Sequence, residues 1–224
     1  MPPANTNVHI PYDLQRKPYH KTVADLVREH VPEKGEVLDI GCGVGHTLVE
    51  VQQQRPDLRL VASDMDAKCL AITADRVDLS ESIQATADHL FPTERQFDCV
   101  IASHVLEHAY HPVDFVRGVM GLLKPGGVAV LAVPNPVRPT VVWSNLFRRH
   151  YVNRGHVVAW DRSHWINFLE NILDLNVVEY ASDFVPLPLV SGLPVFRRLE
   201  AGLARLTPWL AFSNIAVVRK ESKA

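Results

Sequence analysis

The chain has few cysteines, no surplus of either charge and no long apolar run, and each shortage removes a class of protein. Its three cysteines, Cys42, Cys69 and Cys99, are far apart, odd in number and without metal-type spacing. A disulfide framework and a zinc ribbon are therefore excluded, and a reducing, cytoplasmic setting is expected. Lysine and arginine total 23 against 25 aspartates and glutamates, a formal charge of −2. That balance gives no global attraction to nucleic acid, and no nucleic-acid partner is expected. No apolar stretch approaches the roughly 20 residues that span a bilayer, so no transmembrane segment is expected. The opening MPPANTNVHIP has neither a basic start nor an apolar stretch, and reads as an arm instead of a secretory signal.

What is present is a core-forming composition, 47% hydrophobic in 224 residues, which suits one α/β domain. The most informative stretch is VLDIGCGVG, Val37 to Gly45, followed by a strand LRLVAS that ends on Asp64. Gly41, Gly43 and Gly45 recur at every second position. Glycine lets the backbone take φ > 0 and keeps side chains away from a ligand. An open α/β sheet holds a ribose on an acid at the end of its second strand. The dinucleotide fingerprint G-x-G-x-x-G is not matched, because the order here is D-x-G-x-G-x-G. Asp39 beside the loop suits a cationic or amino-bearing ligand better than a pyrophosphate.

Strand and helix patterns alternate along the chain. Helices are predicted over Lys21 to His30, His46 to Gln54, Ala67 to Asp78, Val113 to Leu123, Asp161 to Leu173 and Val195 to Leu206. Strands are predicted at LRLVAS, Ser82 to Thr86, Phe97 to Ser103, Val128 to Val133, Asn176 to Tyr180 and Asn214 to Arg219, in addition to the one before the glycine loop. Five βα units with short connections imply a doubly wound, right-handed parallel sheet.

Four segments in this order, VLDIGCGVG, ASDMD, FDCVIASHVLEH and LLKPGGVAVLAVPNP, resemble the class I S-adenosylmethionine-dependent methyltransferases. The similarity is greatest to their small-molecule and quinone-type O-methyltransferase branch. The resemblance implies a Rossmann-like, doubly wound, seven-stranded mixed sheet, mostly parallel with an antiparallel final strand. It also implies a single methyltransferase domain over residues 1–224. An arm and lid helix would occupy 1–32, and substrate-side insertions 134–165 and 185–213. S-adenosylmethionine is the implied cofactor. Asp39, Gly41, Cys42, Gly43 and Gly45 would form its loop, Asp64 would hold the ribose hydroxyls, and Met65 would cover one adenine face. Ala87 and Asp88 would meet the adenine edge, although the family's usual position falls on Thr86. Ser103 would close the site at the end of the fourth strand.

His104-Val105-Leu106-Glu107-His108 is the polar cluster that could carry chemistry. It matches H-x-x-E-H formally, but Pro112 leaves too short a helix for an inverted zinc-hydrolase site. Two readings stay open. In one, His104 or His108 is the general base for an acceptor hydroxyl, since imidazole titrates near neutral pH. In the other, Glu107, His108 and His156 hold a divalent ion that acidifies the acceptor. Related enzymes carry E-x-x-E-H here, and His104 in place of their first glutamate disfavours hard Mg²⁺. The catalytic set expected is His104, Glu107, His108 and His156, without a metal. The segment Pro134 to Trp165, rich in arginine and aromatics, suits an anionic or aromatic small-molecule acceptor. Methyl transfer to such an acceptor, at oxygen, is the function expected. The alternative is a cofactor-binding partner or regulator without catalysis. Oligomeric state is left open by the sequence.

Overall fold

The computed structural model describes residues 16–86, 95–147, 155–191 and 193–222. In chain order the elements are α1 (Pro18–His30), β1 (Glu36–Ile40), α2 (His46–Gln54), β2 (Arg59–Asp64), α3 (Ala67–Ala74), β3 (Leu79–Gln84) and β4 (Phe97–Ser103). There follow α4 (Pro112–Gly121), β5 (Leu123–Pro134), α5 (Pro139–Phe147), α6 (Arg162–Ile166), β6 (Val177–Ala181), α7 (Arg197–Leu206) and β7 (Ser213–Arg219).

The strands form one sheet in the order β3-β2-β1-β4-β5-β7-β6. All neighbours are parallel except β7, which runs antiparallel to both β5 and β6. This is the mixed, mostly parallel sheet with an antiparallel final strand that the sequence predicts. The strand order reverses at the β1–β4 pair, and ligands bind outside the carboxyl ends of strands at such a switch point. The glycine loop leaves β1 there, and His104 leaves β4 beside it.

The central strands are mainly apolar because both of their faces are covered. Alternation sends Leu38, Val100, Ala129 and Leu131 to one core, with α4, Trp165 and Phe168. It sends Val37, Leu60, Ile101 and Val130 to the other, with α1 and α2. Edge strand β3, LSESIQ, is largely exposed and correspondingly polar.

Several boundaries differ from expectation for identifiable reasons. α1 starts at Pro18, a proline in the first helical turn, where its missing N–H costs nothing. β5 runs back to Leu123 through Lys124-Pro125-Gly126-Gly127, a stretch that reads as a turn in sequence. α3 ends at Ala74, short of the expected Asp78, and so lets β3 begin at Leu79, three residues before the expected Ser82. The single helix expected over Asp161 to Leu173 is a short α6 followed by a π-turn, Asn167–Ile172, in which Leu173 N donates to Phe168 O at 3.1 Å. α5 was not foreseen at all; among its residues none is buried.

Candidate active site

The loop after β1 is built by its glycines. Gly41, Gly43 and Gly45 have φ of +68°, +55° and +77°, conformations that L side chains rarely adopt. Gly41 and Cys42 both donate their N–H to Ser63 O, at 2.7 and 3.0 Å, which ties the loop to β2. A Cβ on Gly41 would fall on Val105 Cγ2, and one on Gly45 would lie 2.7 Å from Thr73 Cγ2. Among the described residues, a Cβ on Gly43 would meet nothing within 4 Å. The loop therefore touches protein at its two ends and opens on space at its middle.

Asp64 is fixed across that opening. Its Oδ2 accepts from Gly43 N and its Oδ1 from Asp66 N, both at 2.9 Å. Thr73, fully buried, supports the loop from below by donating its hydroxyl to Gly43 O at 3.0 Å. Met65, the next residue, is 61% exposed, so it is not a core residue. Asp39 is buried on β1; burial first, and then the charge of Asp64, hold its carboxyl well above the usual range. Burial likewise raises the Cys42 thiol, which fits a small buried residue and not a reactive one. Ser103 Oγ, at the end of β4, is buried and has no hydrogen-bond partner among the described residues. Ala87 and Asp88, predicted near the adenine, lie outside the described residues, as do Arg148, Arg149, Tyr151 and Arg154.

Val105, which limits Gly41, belongs to the polar cluster, so the cluster abuts the loop directly. Only Leu106–His108 forms a 3₁₀ turn, and His104 precedes it at φ +57°. The two histidines therefore do not share a helical face, which removes the zinc-hydrolase reading. His104 is stacked on Tyr19 of α1 (ring centroids 4.5 Å) and lies 5.7 Å from Phe212, while Tyr19 and Phe212 are nearly parallel at 6.0 Å. Its Nε2 is 2.9 Å from Ser213 Oγ. Ser213 in turn meets the buried carboxyl of Asp183, whose Oδ1 accepts from Ser213 N at 3.2 Å. Burial pushes that carboxyl up to about 6. Burial first, then the cations Arg138 and Lys17, hold the His104 imidazole well below its usual range and keep it neutral.

Glu107 sits at the centre of three imidazoles. Its Oε1 is 3.7 Å from His104 Nδ1, 3.9 Å from His108 Nε2 and 3.9 Å from His156 Nε2. The other carboxylate oxygen, Oε2, is buried without a partner among the described residues, and burial raises the carboxyl to about 8. The His108 Nδ1–H donates to Gly155 O at 3.0 Å, which leaves the Nε2 lone pair facing Glu107 and His156. A Cβ at Gly155, itself at φ +92°, would lie 3.3 Å from that ring. Burial lowers His108, and burial together with His108 lowers His156 to about 4.

Glu107, His108 and His156 each offer a ligand atom within 4.8 Å of the others. Two donors ~2.1 Å from a common ion lie at most ~4.2 Å apart, and both 3.9 Å separations satisfy this. The outer hydrogen bond on His108 is the arrangement that fixes the tautomer of a liganding histidine. The residues present therefore fit a divalent ion, and two imidazoles with one carboxylate suit Zn²⁺, Mn²⁺ or Fe²⁺ better than Mg²⁺.

The structure thus brings together all four residues predicted for the chemistry, and the loop predicted for the cofactor. Sequence reasoning missed Tyr19, Phe212 and Ser213, which meet His104, and Asp183, which holds Ser213. None carries a motif, and Asp183, Phe212 and Ser213 lie in or beside the least patterned part of the chain.

Comparison with known proteins agrees with this geometry. The family described as a methyltransferase domain matches residues 12–179. The chain is 29% identical over 134 residues to the ubiquinone biosynthesis O-methyltransferase of Roseobacter denitrificans, covering 58% of this chain and 51% of that one. It is 25% identical over 132 residues to the malonyl-[acyl-carrier protein] O-methyltransferase of Halalkalibacterium halodurans, covering 55% and 49%. The chain spans about half the length of these curated relatives. One solved chain, from the Haloferax volcanii complex of the Trm112 activator with a methyltransferase, superposes with a TM-score of 0.66 at 18% identity, over 92% of this chain and 91% of that one. The plantazolicin methyltransferase BpumL, in complex with SAH, gives 0.60 at 12% identity, over 90% and 82%. At these identities the superpositions speak for the fold. The family match reaches from before α1 into β6 and takes in the glycine loop, Asp64 and the whole histidine cluster, and on that ground the chain belongs to the methyltransferase-domain family.

Proposed function

We propose that the chain moves the methyl group of S-adenosylmethionine to an oxygen of a small-molecule acceptor lying against His104 and Glu107. The observation that carries this reading is the fixed carboxylate of Asp64 beside the open space at Gly43. Two of its lone-pair directions are taken by backbone N–H groups, and two remain for a pair of ribose hydroxyls. Asp39 supports it: a buried acid whose ionisation is opposed favours a cationic group nearby, and the cofactor carries a sulfonium and an ammonium.

The reaction is an in-line displacement, so the protein aligns the acceptor and receives its proton. The acceptor oxygen forms a bond to the methyl carbon, the carbon–sulfur bond breaks, and S-adenosylhomocysteine leaves with the electron pair. His104 is the group we assign to the proton. With Nε2–H donated to Ser213, its Nδ1 keeps a lone pair, and its surroundings keep it uncharged. Should Glu107, His108 and His156 hold a divalent ion, that ion would acidify the acceptor oxygen as a Lewis acid.

Arg138 lies 4.4 Å and Lys17 5.6 Å from the centre of the Phe212 ring, next to Tyr19. Aromatic walls with two cations favour a flat or anionic acceptor. The curated relatives are both O-methyltransferases by name, which supports oxygen as the atom methylated. The lid role of α1 is supported by Tyr19, which that helix lays over His104.

Calorimetry with S-adenosylmethionine and S-adenosylhomocysteine, followed by labelled-methyl transfer to a panel of phenols, quinols and carboxylic acids, tests the proposal. Asp64→Ala is expected to weaken cofactor binding by about 1.5–3 kcal/mol, the scale of hydrogen bonds to a charged group. Unchanged affinity in that variant would remove Asp64 from the site. Tight cofactor binding with no methyl transfer to any oxygen acceptor would leave a binder in place of an enzyme.

A further inference from the structure

The amphipathic helix α7 buries Glu200 and Ala204, with Leu203 half-buried beside them, and leaves two of its leucines in solvent. Glu200 and Ala204 face inward, 2% and 1% exposed, and Glu200 Oε1 accepts from Leu187 N at 3.0 Å. Leu199 and Leu206, seven residues apart, share one stripe of α7, and both are exposed, as is Val195 in the 3₁₀ turn just before the helix. Arg198 and Arg205 project alongside that stripe, and Arg197 is exposed as well. None of the three arginines forms an ion pair or side-chain hydrogen bond among the described residues. Because the helix's only acid is buried, the solvent side of α7 presents apolar groups and positive charge alone.

A second apolar surface lies at the same end of the molecule. α5, PTVVWSNLF, has no charged residue and no buried one, and its Trp143 and Phe147 rings meet in the open with centroids 4.9 Å apart. The segment before α5 is tied to the segment after α7. The Asn135 amide donates to Trp209 O and Ala211 O at 2.8 and 2.9 Å, and Arg138 covers Phe212. Trp209 is itself half-exposed there.

We infer that α7 and α5 form a docking surface for an anionic lipid bilayer. An apolar helical stripe beside arginines, with tryptophans at its margin, has the composition of a helix lying in the membrane interface. A second copy of the chain fits less well. A two-fold contact places the same patch against itself, which would bring the unpaired arginines of both helices together. Anionic headgroups neutralise those charges while Leu199 and Leu206 enter the acyl boundary. The neutral balance of the whole chain is no obstacle, because each juxtamembrane arginine acts locally, within about 8–10 Å at physiological salt.

The experiment is co-sedimentation of the full chain with vesicles of phosphatidylcholine alone, or of equal parts phosphatidylcholine and phosphatidylglycerol. Binding at least tenfold stronger to the phosphatidylglycerol vesicles is expected, with a several-fold loss as salt is raised to about 0.5 M. The double variants Arg198→Glu/Arg205→Glu and Leu199→Glu/Leu206→Glu should each lower it by about tenfold or more. All four residues are exposed, and S-adenosylmethionine affinity equal to that of the unaltered chain serves as the check that each variant is folded. Absence of vesicle binding, equal binding to both compositions, or full binding by either double variant would overturn the inference. So would a dimer in sedimentation equilibrium that Leu199→Glu/Leu206→Glu dissociates, which would assign the surface to a second copy.

Discussion

Gly43→Val is expected to remove S-adenosylmethionine binding from a protein that still folds. Gly43 sits at φ +55°, and a Cβ there meets no atom of the described residues within 4 Å. The cost to the fold is therefore the local one of a left-handed backbone, roughly 1–2 kcal/mol. The cost to the ligand is larger. The added isopropyl group enters the space beside Asp64, whose Oδ2 is held by the N–H of Gly43 itself. Losing the ribose contact and the room for the ligand should weaken binding at least a hundredfold, about 3 kcal/mol or more. Gly41→Ala should behave in the opposite way. Its Cβ would land on Val105, inside the structure, so the thermal midpoint should fall before affinity is lost. Calorimetry and thermal melts on both variants separate a ligand-facing glycine from a packing one. If Gly43→Val melts like the unaltered chain and binds the cofactor at normal affinity, the loop does not touch the cofactor.

Where two signals coincide, the sequence is legible. In β4, FDCVIAS, both faces are buried and only Asp98 and the terminal Ser103 interrupt the apolar run, so its limits are visible. The glycines of VLDIGCGVG are legible because positive φ is a demand that few other residues meet, and all three adopt it. The start of β3 is obscure because an edge strand facing solvent has a weak apolar signature, and only its later part, from Ser82, is read as strand. α5 is obscure for the reverse reason: its apolar residues follow no period set by a core, since none of them is buried. Around His104 the limit is of another kind. Tyr19 comes from α1, Asp183 and Phe212 from the segment between β6 and β7, and Ser213 from the start of β7. Only the antiparallel pairing of β7 with β5, which sets Ser213 opposite Pro134, brings that segment to the end of β4. No local pattern encodes a meeting over such separations.

Glu107→Gln should lower turnover by about 10²–10⁴-fold, the range for loss of a positioned acid–base group, while S-adenosylmethionine affinity stays unchanged. The carboxyl is buried and lies 3.7–3.9 Å from three imidazole nitrogens, so its contribution belongs to the acceptor side. The amide keeps the volume and hydrogen-bonding ability of the side chain but can neither take up nor release a proton, and it cannot become a carboxylate ligand. Packing is thereby preserved while both proton transfer and ion binding are impaired. Chelation separates the two. If His104 takes the proton through Nδ1, turnover survives exhaustive chelator, and His104→Ala is as damaging as Glu107→Gln. That is the expected result, because His104 faces Ser213 through Nε2 and leaves the cluster with a single carboxylate to hold an ion. Loss of turnover with chelator, and its return with Zn²⁺, Mn²⁺ or Fe²⁺ but not Mg²⁺, would instead transfer the role to Glu107, His108 and His156 acting as ligands. In that case His108→Ala and His156→Ala should abolish turnover as completely as Glu107→Gln, whereas His104→Ala should retain most of it. Full turnover in Glu107→Gln would leave the cluster a structural one, bracing the turn that holds Val105 against Gly41.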